Sequence, residues 1–315
     1  MLSVFLGAGF SRVGGVPMAS QLFDMQPQVD RITRQRLVER VTAHWEEWKI
    51  KTGGEPEQYL AHLEQFGGKA WTDAQWYVGL RIALATSRVE FVGSIPTVTR
   101  HNLDRTSGVT AHELFWSAIF KKREDVGVIT TNYDVLPERG LRHKPRPRIN
   151  RPGFHYGNGH DELEGGGYPS YSHIQKIAVE GRIPLLKLHG SVSWSFRDGR
   201  LVRYHDCRPA IRGDAAIVAP VIAKMLPKLF EPIWNAADNL LRSSDTWVVV
   251  GYSLPEYDHL VRDLFKRAFH KEVKLHIFDP NPAIGQKFRD LLSEARIQQH
   301  GGLPDSLDEL EGAIS

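Results

Sequence analysis

The sequence contains very little cysteine, with Cys207 as the single cysteine among 315 residues. One cysteine excludes an internal disulfide and a zinc site built from several cysteines, and it fits a reducing compartment. The sequence also lacks an apolar run of the roughly 18 residues that a membrane-spanning helix needs. Its first residues lack the basic stretch and cleavage site of a signal peptide. We therefore expect a cytoplasmic protein that does not enter a membrane.

An excess of charge of either sign is also missing. Lysine and arginine number 40 against 37 aspartates and glutamates, which gives a formal net charge of +3. This near balance does not predict nucleic-acid binding. One local exception is the stretch Arg139 to Arg151, which holds six basic residues, two prolines and no acid. Such a run is usually a solvated loop, but it is also compatible with a lid over a phosphate group or with contact to a partner that carries nucleic acid.

Five short apolar segments predict buried β-strands. They are Leu2–Leu6, Val126–Thr131, Ile183–Leu188, Thr246–Val250 and Val273–Phe278. Because segments with helical periodicity separate them, we predict an α/β fold with a Rossmann-like, mostly parallel sheet and helices on both faces. Residues 1–315 would form a single domain. Within it, residues of about 25 to 123 would be an inserted helical module, and a helix over Pro282–Arg296 would close the domain.

A polar or glycine-rich cluster follows each of the five predicted strands. The clusters are Gly7–Ser11, Asn132–Asp134, His189–Ser191, Gly251–Ser253 and Asp279–Asn281. The carboxyl ends of parallel strands meet at one edge of the sheet, where ligands of such folds bind near the switch point. We therefore expect the five clusters to line one crevice, although they lie far apart along the chain.

The first cluster is typical of a phosphate-binding turn. Glycines permit a sharp turn that brings backbone N–H groups against a ligand, and the following helix directs its positive end at a phosphate. Arg12 stands where the dinucleotide fingerprint has its third glycine. We predict a pyrophosphate site formed by Gly7, Ala8, Gly9, Phe10 and Ser11, with Gly251 and Ser253 of the fourth cluster.

Four other side chains have groups suited to binding a nucleotide. Asn132 can both donate and accept hydrogen bonds and so hold a water or a ribose hydroxyl, and His189 can take a proton from either. Asp134 could accept from a carboxamide N–H, and Asp279 could accept from a ribose hydroxyl.

Each candidate also has a structural alternative. Asn132 or Asp134 would cap the helix that follows, and His189 would be a core histidine bonded to a carbonyl. Asp279 would form a turn at the end of its strand. Ser253 would cap a helix predicted over Pro255–Phe269, with or without a phosphate contact.

Four motifs, in the same order along the chain, resemble those of the sirtuin-like family. They are Gly7-Ala8-Gly9-Phe10-Ser11 with Gly15-Val16-Pro17, Thr131-Asn132-Tyr133-Asp134, Lys187-Leu188-His189-Gly190-Ser191 and Gly251-Tyr252-Ser253-Leu254. Within that family the chain resembles the bacterial branch that hydrolyses NAD in anti-phage defence. The resemblance implies that Asn132 and His189 are the catalytic pair, that the glycine-rich turn binds the NAD diphosphate, and that Asp134 contacts the nicotinamide end.

The sequence departs from the deacylating sirtuins, which carry a four-cysteine zinc ribbon. A chain with one cysteine cannot form that ribbon, and the predicted helical module stands in its place. His155, His160 and His173 lack metal-ligand spacing. We therefore predict no metal, and the resemblance implies NAD as a substrate.

The residues and the resemblance together predict an NAD glycohydrolase that releases nicotinamide and ADP-ribose or its cyclic form. Uncontrolled activity of this kind would kill the host. We therefore expect control by homo-oligomerisation or by a separate regulatory protein, such as an ATPase or an Argonaute-type protein. Two alternatives remain open. One is an NAD-dependent protein deacylase or ADP-ribosyltransferase, and the other is a module that senses NAD or ADP-ribose without turning it over.

Overall fold

The computed structural model describes residues 1–24, 32–92, 95–101, 111–141, 154–156, 183–197, 200–203, 215–219, 228–303 and 305–315. In chain order the strands are β1 (Leu2–Leu6), β2 (Ser87–Val92), β3 (Ile95–His101), β4 (Val126–Thr130), β5 (Phe154–His155), β6 (Ile183–Lys187), β7 (Gly190–Arg197), β8 (Arg200–Arg203), β9 (Ala215–Ile217), β10 (Thr246–Val250), β11 (Lys274–Phe278) and β12 (Arg296–His300).

The α-helices are α1 (Ala8–Arg12), α2 (Ile32–Thr52), α3 (Pro56–Phe66), α4 (Gly68–Thr86), α5 (Ala111–Lys122), α6 (Leu136–Leu141), α7 (Glu231–Arg242), α8 (His259–Ala268), α9 (Ala283–Leu291) and α10 (Leu307–Ala313). Short 3-10 helices cover Ala19–Gln21 and Lys228–Phe230. Within these ranges, no helix combines the length and the apolar character that crossing a bilayer requires.

Seven strands form one sheet in the order β12-β11-β10-β1-β4-β6-β5. All neighbouring pairs in this sheet are parallel. The central strands β1, β4 and β10 are buried along their whole length, because their near-continuous apolar sequences are covered on both faces. The predicted α/β class, with a mostly parallel, Rossmann-like sheet, is confirmed.

Helices cover the two faces of the sheet. On one face, Phe5 of β1 packs against Phe265 of α8, and a Cβ at Gly127 of β4 would lie 2.4 Å from the Leu240 side chain of α7. Side chains of the opposite face, such as Val4, are buried in the same apolar cluster as Trp116 of α5. The strands of the large sheet therefore lie in a buried core, which supports the loops at the carboxyl edge of that sheet.

The inserted module differs from the prediction in two respects. Helices α2, α3 and α4 lie in the predicted interval and share a second apolar cluster with Val16, Leu22 and Phe23. However, the interval also holds the antiparallel pair β2–β3. Its last helix, α5, belongs instead to the apolar cluster of the large sheet. The predicted interval therefore holds a strand pair beside its helices, and its last helix packs with the large sheet; that residues of about 25 to 123 form a separate module stays a prediction.

The end of the chain also departs from the prediction. The helix predicted over Pro282–Arg296 ends at Leu291 as α9, and β12 follows from Arg296 to His300 as the edge strand of the large sheet. This strand is mostly polar and half-exposed, because an edge strand needs burial on fewer sides. An apolar run could therefore not reveal it.

Candidate active site

A cavity of about 280 Å³ lies at the carboxyl edge of the large sheet, beside β1, β4, β6 and β10. Its volume is near the lower end of the roughly 300–1,000 Å³ of small-molecule sites. Four of the five predicted clusters contribute to its wall, through Ala8, Ser11, Asn132, Asp134, His189, Gly251 and Ser253. The remaining wall includes the helical module and the segment before α8, with Glu55, Glu57, Ile82, Pro255, Tyr257 and Asp258.

Asn132 follows β4 and is buried. Its Nδ2 atom donates to the Gly7 carbonyl oxygen at 2.8 Å and to Ser11 Oγ at 2.8 Å. Because a carbonyl oxygen can only accept, the amide nitrogen must face Gly7. In the described part of the chain, no group bonds to the Asn132 side-chain oxygen. That oxygen is therefore the atom of Asn132 that can accept a hydrogen bond from a ligand.

His189 follows β6, the strand that pairs with β4, and is also buried. Its Nε2 atom lies 3.5 Å from Asp258 Oδ1. The second oxygen of Asp258 accepts a hydrogen bond of 2.7 Å from the Tyr252 hydroxyl. His189 therefore faces a carboxylate rather than a carbonyl, unlike the core histidine that was its structural alternative.

The glycine turn is built differently from the prediction. The Gly7 N–H donates to the Val250 carbonyl and the Gly9 N–H donates to the Gly251 carbonyl, both at 2.9 Å. A Cβ at Gly9 would lie 2.7 Å from the Gly251 Cα atom. The glycines therefore permit close approach of the β1 and β10 turns, and these N–H groups are not directed at a ligand. The helix that follows, α1, has only five residues.

Of the residues predicted in this turn, the structure places two on the cavity wall. Ala8 and Ser11 line the cavity, while the Phe10 ring packs against Phe115 and Trp116 of α5 and its N–H donates to the Gly7 carbonyl. The described contacts of Gly7, Gly9 and Phe10 are thus with backbone and core groups, and their contact with a diphosphate stays a prediction.

Ser253 lies on the cavity wall and is exposed. It does not cap the next helix, because α8 begins at His259 rather than at Pro255. The Lys287 ammonium group donates to the Ser253 carbonyl at 3.2 Å. Ser253 therefore connects the cavity wall to Lys287, which is not itself among the described residues that line the cavity.

Asp134 has a clear structural contact as well as a place on the wall. Its Oδ1 atom accepts from the Leu136 N–H at 2.8 Å, at the start of α6, so Asp134 rather than Asn132 makes the expected cap. Its carbonyl accepts from Lys187 Nζ. Lys187 is fully buried and pairs with Glu138 at 3.0 Å, while burial raises the pKa of Glu138 despite the attraction of the ammonium group.

Asp279 is not among the described residues that line the cavity. Its Oδ1 atom accepts from the Asn281 N–H at 2.9 Å, which is the strand-end turn that competed with a ribose contact. Partial burial raises the pKa of Asp279, and the hydrogen bond from Asn281 opposes that change. Ribose binding by Asp279 remains a prediction.

Sequence reasoning missed the carboxylates that the helical module and the α8 segment bring to the site. Glu57 of α3 accepts a hydrogen bond from the Tyr257 hydroxyl, and burial raises the Glu57 pKa to about 7 against the opposing effects of that bond and of His189. Glu64, about two turns further along α3, accepts from the Ala219 N–H at 3.1 Å. Burial raises its pKa to about 7 as well. Neither glutamate follows a strand, so no motif indicated them.

The charges of the cavity wall are of one sign. Glu55, Glu57, Asp134 and Asp258 contribute carboxylates, and the wall as far as the structure describes it contains no lysine or arginine. A low-dielectric cavity with this lining favours a cationic group. It does not favour a diphosphate, which would have to lie nearer the mouth.

Some predicted features lie outside the described residues. They include His160, His173 and the basic residues Arg142, Lys144, Arg146, Arg148 and Arg151. In the ranges that are described, no group of three or more His, Cys, Asp or Glu side chains is placed to hold a metal ion.

Comparisons with known proteins give a family match and matches to solved structures. Residues 126–298, more than half of the chain, match the SIR2-like domain, which agrees with the sirtuin-like resemblance of the motifs. A comparison with curated proteins gives no match. An ADP-ribose complex of a Sir2 homologue mutant is 15% identical with a TM-score of 0.48, covering 99% of this chain and 91% of that chain. A Sir2–p53 peptide–NAD+ structure is 15% identical with a TM-score of 0.40, covering 100% of this chain and 94% of that chain.

Proposed function

The chain belongs to the SIR2-like family, and on that premise we propose that it is an NAD glycohydrolase. It would cleave NAD to nicotinamide and ADP-ribose, or the cyclic form of ADP-ribose. One observation carries the proposal: Asn132 and His189, 57 positions apart in the sequence, line one cavity together with several carboxylates. NAD is then the substrate of the reaction.

The negative wall of the cavity matches the charge of this reaction. In NAD the nicotinamide ring is a cation, and the positive charge passes to the ribose as the glycosidic bond breaks. The carboxylates of Glu57, Asp134 and Asp258 would stabilise positive charge on both groups, because a water-poor cavity strengthens such interactions. This lining supports binding of the nicotinamide ribose end inside the cavity.

The two candidate catalytic residues would have separate tasks. The free side-chain oxygen of Asn132 would accept a hydrogen bond from the attacking water or from a ribose hydroxyl, while Gly7 and Ser11 hold the amide in that orientation. His189 would take the proton that the attacking oxygen releases. Asp134, whose carboxylate also caps α6, would contact the nicotinamide carboxamide.

The diphosphate would lie toward the mouth of the cavity. Ala8, Ser11, Gly251 and Ser253 line the cavity and would contact the diphosphate, and Lys287 supplies a positive charge beside Ser253. Gly7, Gly9 and Phe10 would contribute by shaping the turn, since their N–H groups already have backbone acceptors.

We also propose a cellular role as the NAD-depleting effector of a bacterial anti-phage system in the cytoplasm. The support is the resemblance of the four motifs to that branch of the family. An enzyme of this kind must be restrained until infection, so homo-oligomerisation or a separate ATPase or Argonaute-type protein would control it.

Product analysis of the purified full chain tests the proposal. We expect NAD to yield nicotinamide and ADP-ribose, linear or cyclic, without any added acyl-lysine peptide. Turnover that requires an acyl-lysine peptide or an acceptor protein would identify a deacylase or an ADP-ribosyltransferase instead. Calorimetric binding of NAD with the intact dinucleotide recovered, in the presence of each candidate partner, would identify a sensing module.

A further inference from the structure

A chain of three buried side chains extends from the proposed catalytic histidine. His189 Nε2 lies 3.5 Å from Asp258 Oδ1, and Asp258 Oδ2 accepts a hydrogen bond of 2.7 Å from the Tyr252 hydroxyl. Their exposed fractions are 4% for His189, 2% for Asp258 and 5% for Tyr252. Solvent therefore does not screen the contact between the imidazole and the carboxylate.

We propose that Asp258 is a positioning residue that orients the imidazole of His189 and favours one of its tautomers. A carboxylate can only accept, so at this distance Asp258 favours the tautomer in which Nε2 carries the proton. The Nδ1 atom is then the nitrogen with a lone pair, which can accept a proton in the reaction. The inference rests on the proposed function for its catalytic meaning, but the contact itself can be tested without NAD.

The local structure around Asp258 supports this assignment. Asp258 precedes the first residue of α8, where an aspartate ordinarily bonds to the free N–H groups of the first turn. Its side chain makes no such capping bond. Both carboxylate oxygens are instead directed to His189 and Tyr252. Asp258 therefore contacts these two residues rather than the N–H groups of the helix.

Tyr252 fixes the second oxygen of Asp258. Burial and the neighbouring Asp258 charge hold the Tyr252 pKa well above its ordinary value, so the hydroxyl stays protonated and remains a donor at neutral pH. Since Asp258 is held by its second oxygen, the carboxylate cannot rotate freely away from His189.

Other titratable groups also act on His189. Glu57 and Glu64 of α3 interact electrostatically with the imidazole, and Tyr257 binds Glu57. They would also favour the protonated imidazole when ionised, so the contribution of Asp258 must be isolated by substitution at that position.

The test compares Asp258→Asn with the unchanged full chain by NMR titration of the His189 ring. Loss of the carboxylate is expected to change the pH dependence of the His189 ring signals, because an adjacent charge of opposite sign favours the charged imidazole. Asp263→Asn, on the exposed side of α8, is the matched control and should leave the His189 titration unchanged. An unchanged His189 titration in Asp258→Asn would overturn the proposal.

Kinetics give a second readout. For Asp258→Asn we expect the NAD cleavage kcat to fall about 10- to 100-fold, with little change in KM, and the acidic limb of the kcat/KM profile to move to lower pH. Asp258→Glu should recover part of kcat. A loss of kcat with an unshifted pH profile would show a merely structural role and overturn the proposal.

Two further outcomes separate the possible failures. If the wild-type chain does not cleave NAD but its His189 titration shifts in Asp258→Asn, the proposed function fails while the contact stands. If Asp258→Asn does not fold, Tyr252→Phe replaces it, since this variant frees the second oxygen of Asp258. In that case Asp258→Ser, which removes the carboxylate, is measured as well, and an unchanged His189 titration in Asp258→Ser would overturn the proposal.

Discussion

The partly buried carboxyl group of Glu57 makes the stability of this protein depend on pH in a defined direction. In the folded chain the Glu57 pKa is raised from 4.5 to about 7 by burial, whereas in the unfolded chain it keeps its ordinary value. Between these two values the folded state holds a proton that the unfolded state has lost. The free energy of unfolding therefore falls as pH rises from about 4.5 to about 7, and the loss is complete above pH 7.

The size of the effect follows from the change in pKa. One pH unit corresponds to about 1.4 kcal/mol, so raising the pKa from 4.5 to about 7 destabilises the fold by up to about 3 kcal/mol at pH 8. Glu57→Gln is neutral at every pH, and its side-chain oxygen can still accept from the Tyr257 hydroxyl. We expect this variant to be more stable than wild type by up to about 3 kcal/mol at pH 8 and equally stable at pH 4.

Urea unfolding at pH 8 and pH 4 measures this difference. The matched control is Glu47→Gln on α2, because Glu47 is exposed and its contact with Lys51 lowers its pKa; it should gain no stability at pH 8. A Glu57→Gln variant that is no more stable than wild type at pH 8, or that gains equally at both pH values, would refute the reasoning. We also expect Glu57→Gln to cleave NAD about tenfold more slowly, since it removes a negative charge from the cavity.

Two further substitutions test the framework of the site. Gly190→Ala should lower the free energy of unfolding by about 3 kcal/mol or more in a thermal unfolding assay. The reason is that Gly190 has a φ of +80° and that a Cβ there would lie 1.9 Å from the Ala216 carbonyl oxygen. The control is Gly79→Ala in α4, where an added Cβ meets no atom within 4 Å, and it should be neutral or stabilising. Lys187→Met should cost about 3–5 kcal/mol by leaving the Glu138 charge buried alone, and adding Glu138→Leu should restore much of that loss. Additive losses in the double variant would contradict the ion-pair explanation.

The large sheet could be predicted from the sequence because its central strands are continuous apolar runs. Leu2–Leu6 and Thr246–Val250, for example, are buried along their whole length. Burial on both faces requires mostly apolar residues, so these strands can be recognised from residue type. Parallel strands also place their carboxyl ends at one edge. The meeting of Asn132 and His189 on one cavity wall follows from that rule, without any knowledge of side-chain contacts.

The parts that could not be predicted depend on partners distant in sequence. The Gly7 and Gly9 N–H groups bond to carbonyls of the β10 turn, so their direction is set by residues more than 240 positions away. Asp258 falls inside the helix predicted over Pro255–Phe269, and only the folded chain shows that it precedes the helix and lies against His189. From its sequence neighbours, Glu57 is an ordinary acidic residue in the first turn of a helix. Its position in the cavity wall depends on how α3 packs against the rest of the chain.

The most direct test of the central claim is nicotinamide release from NAD by the purified full chain and by two variants, Asn132→Ala and His189→Ala, with and without a copurifying partner. Circular dichroism and thermal unfolding would establish that both variants remain folded. We expect NAD cleavage by the wild-type chain under at least one of these conditions and a loss of kcat of about 100-fold or more in each variant. Full turnover in either folded variant would contradict the claim that an amide and an imidazole at the sheet edge cleave the nicotinamide–ribose bond.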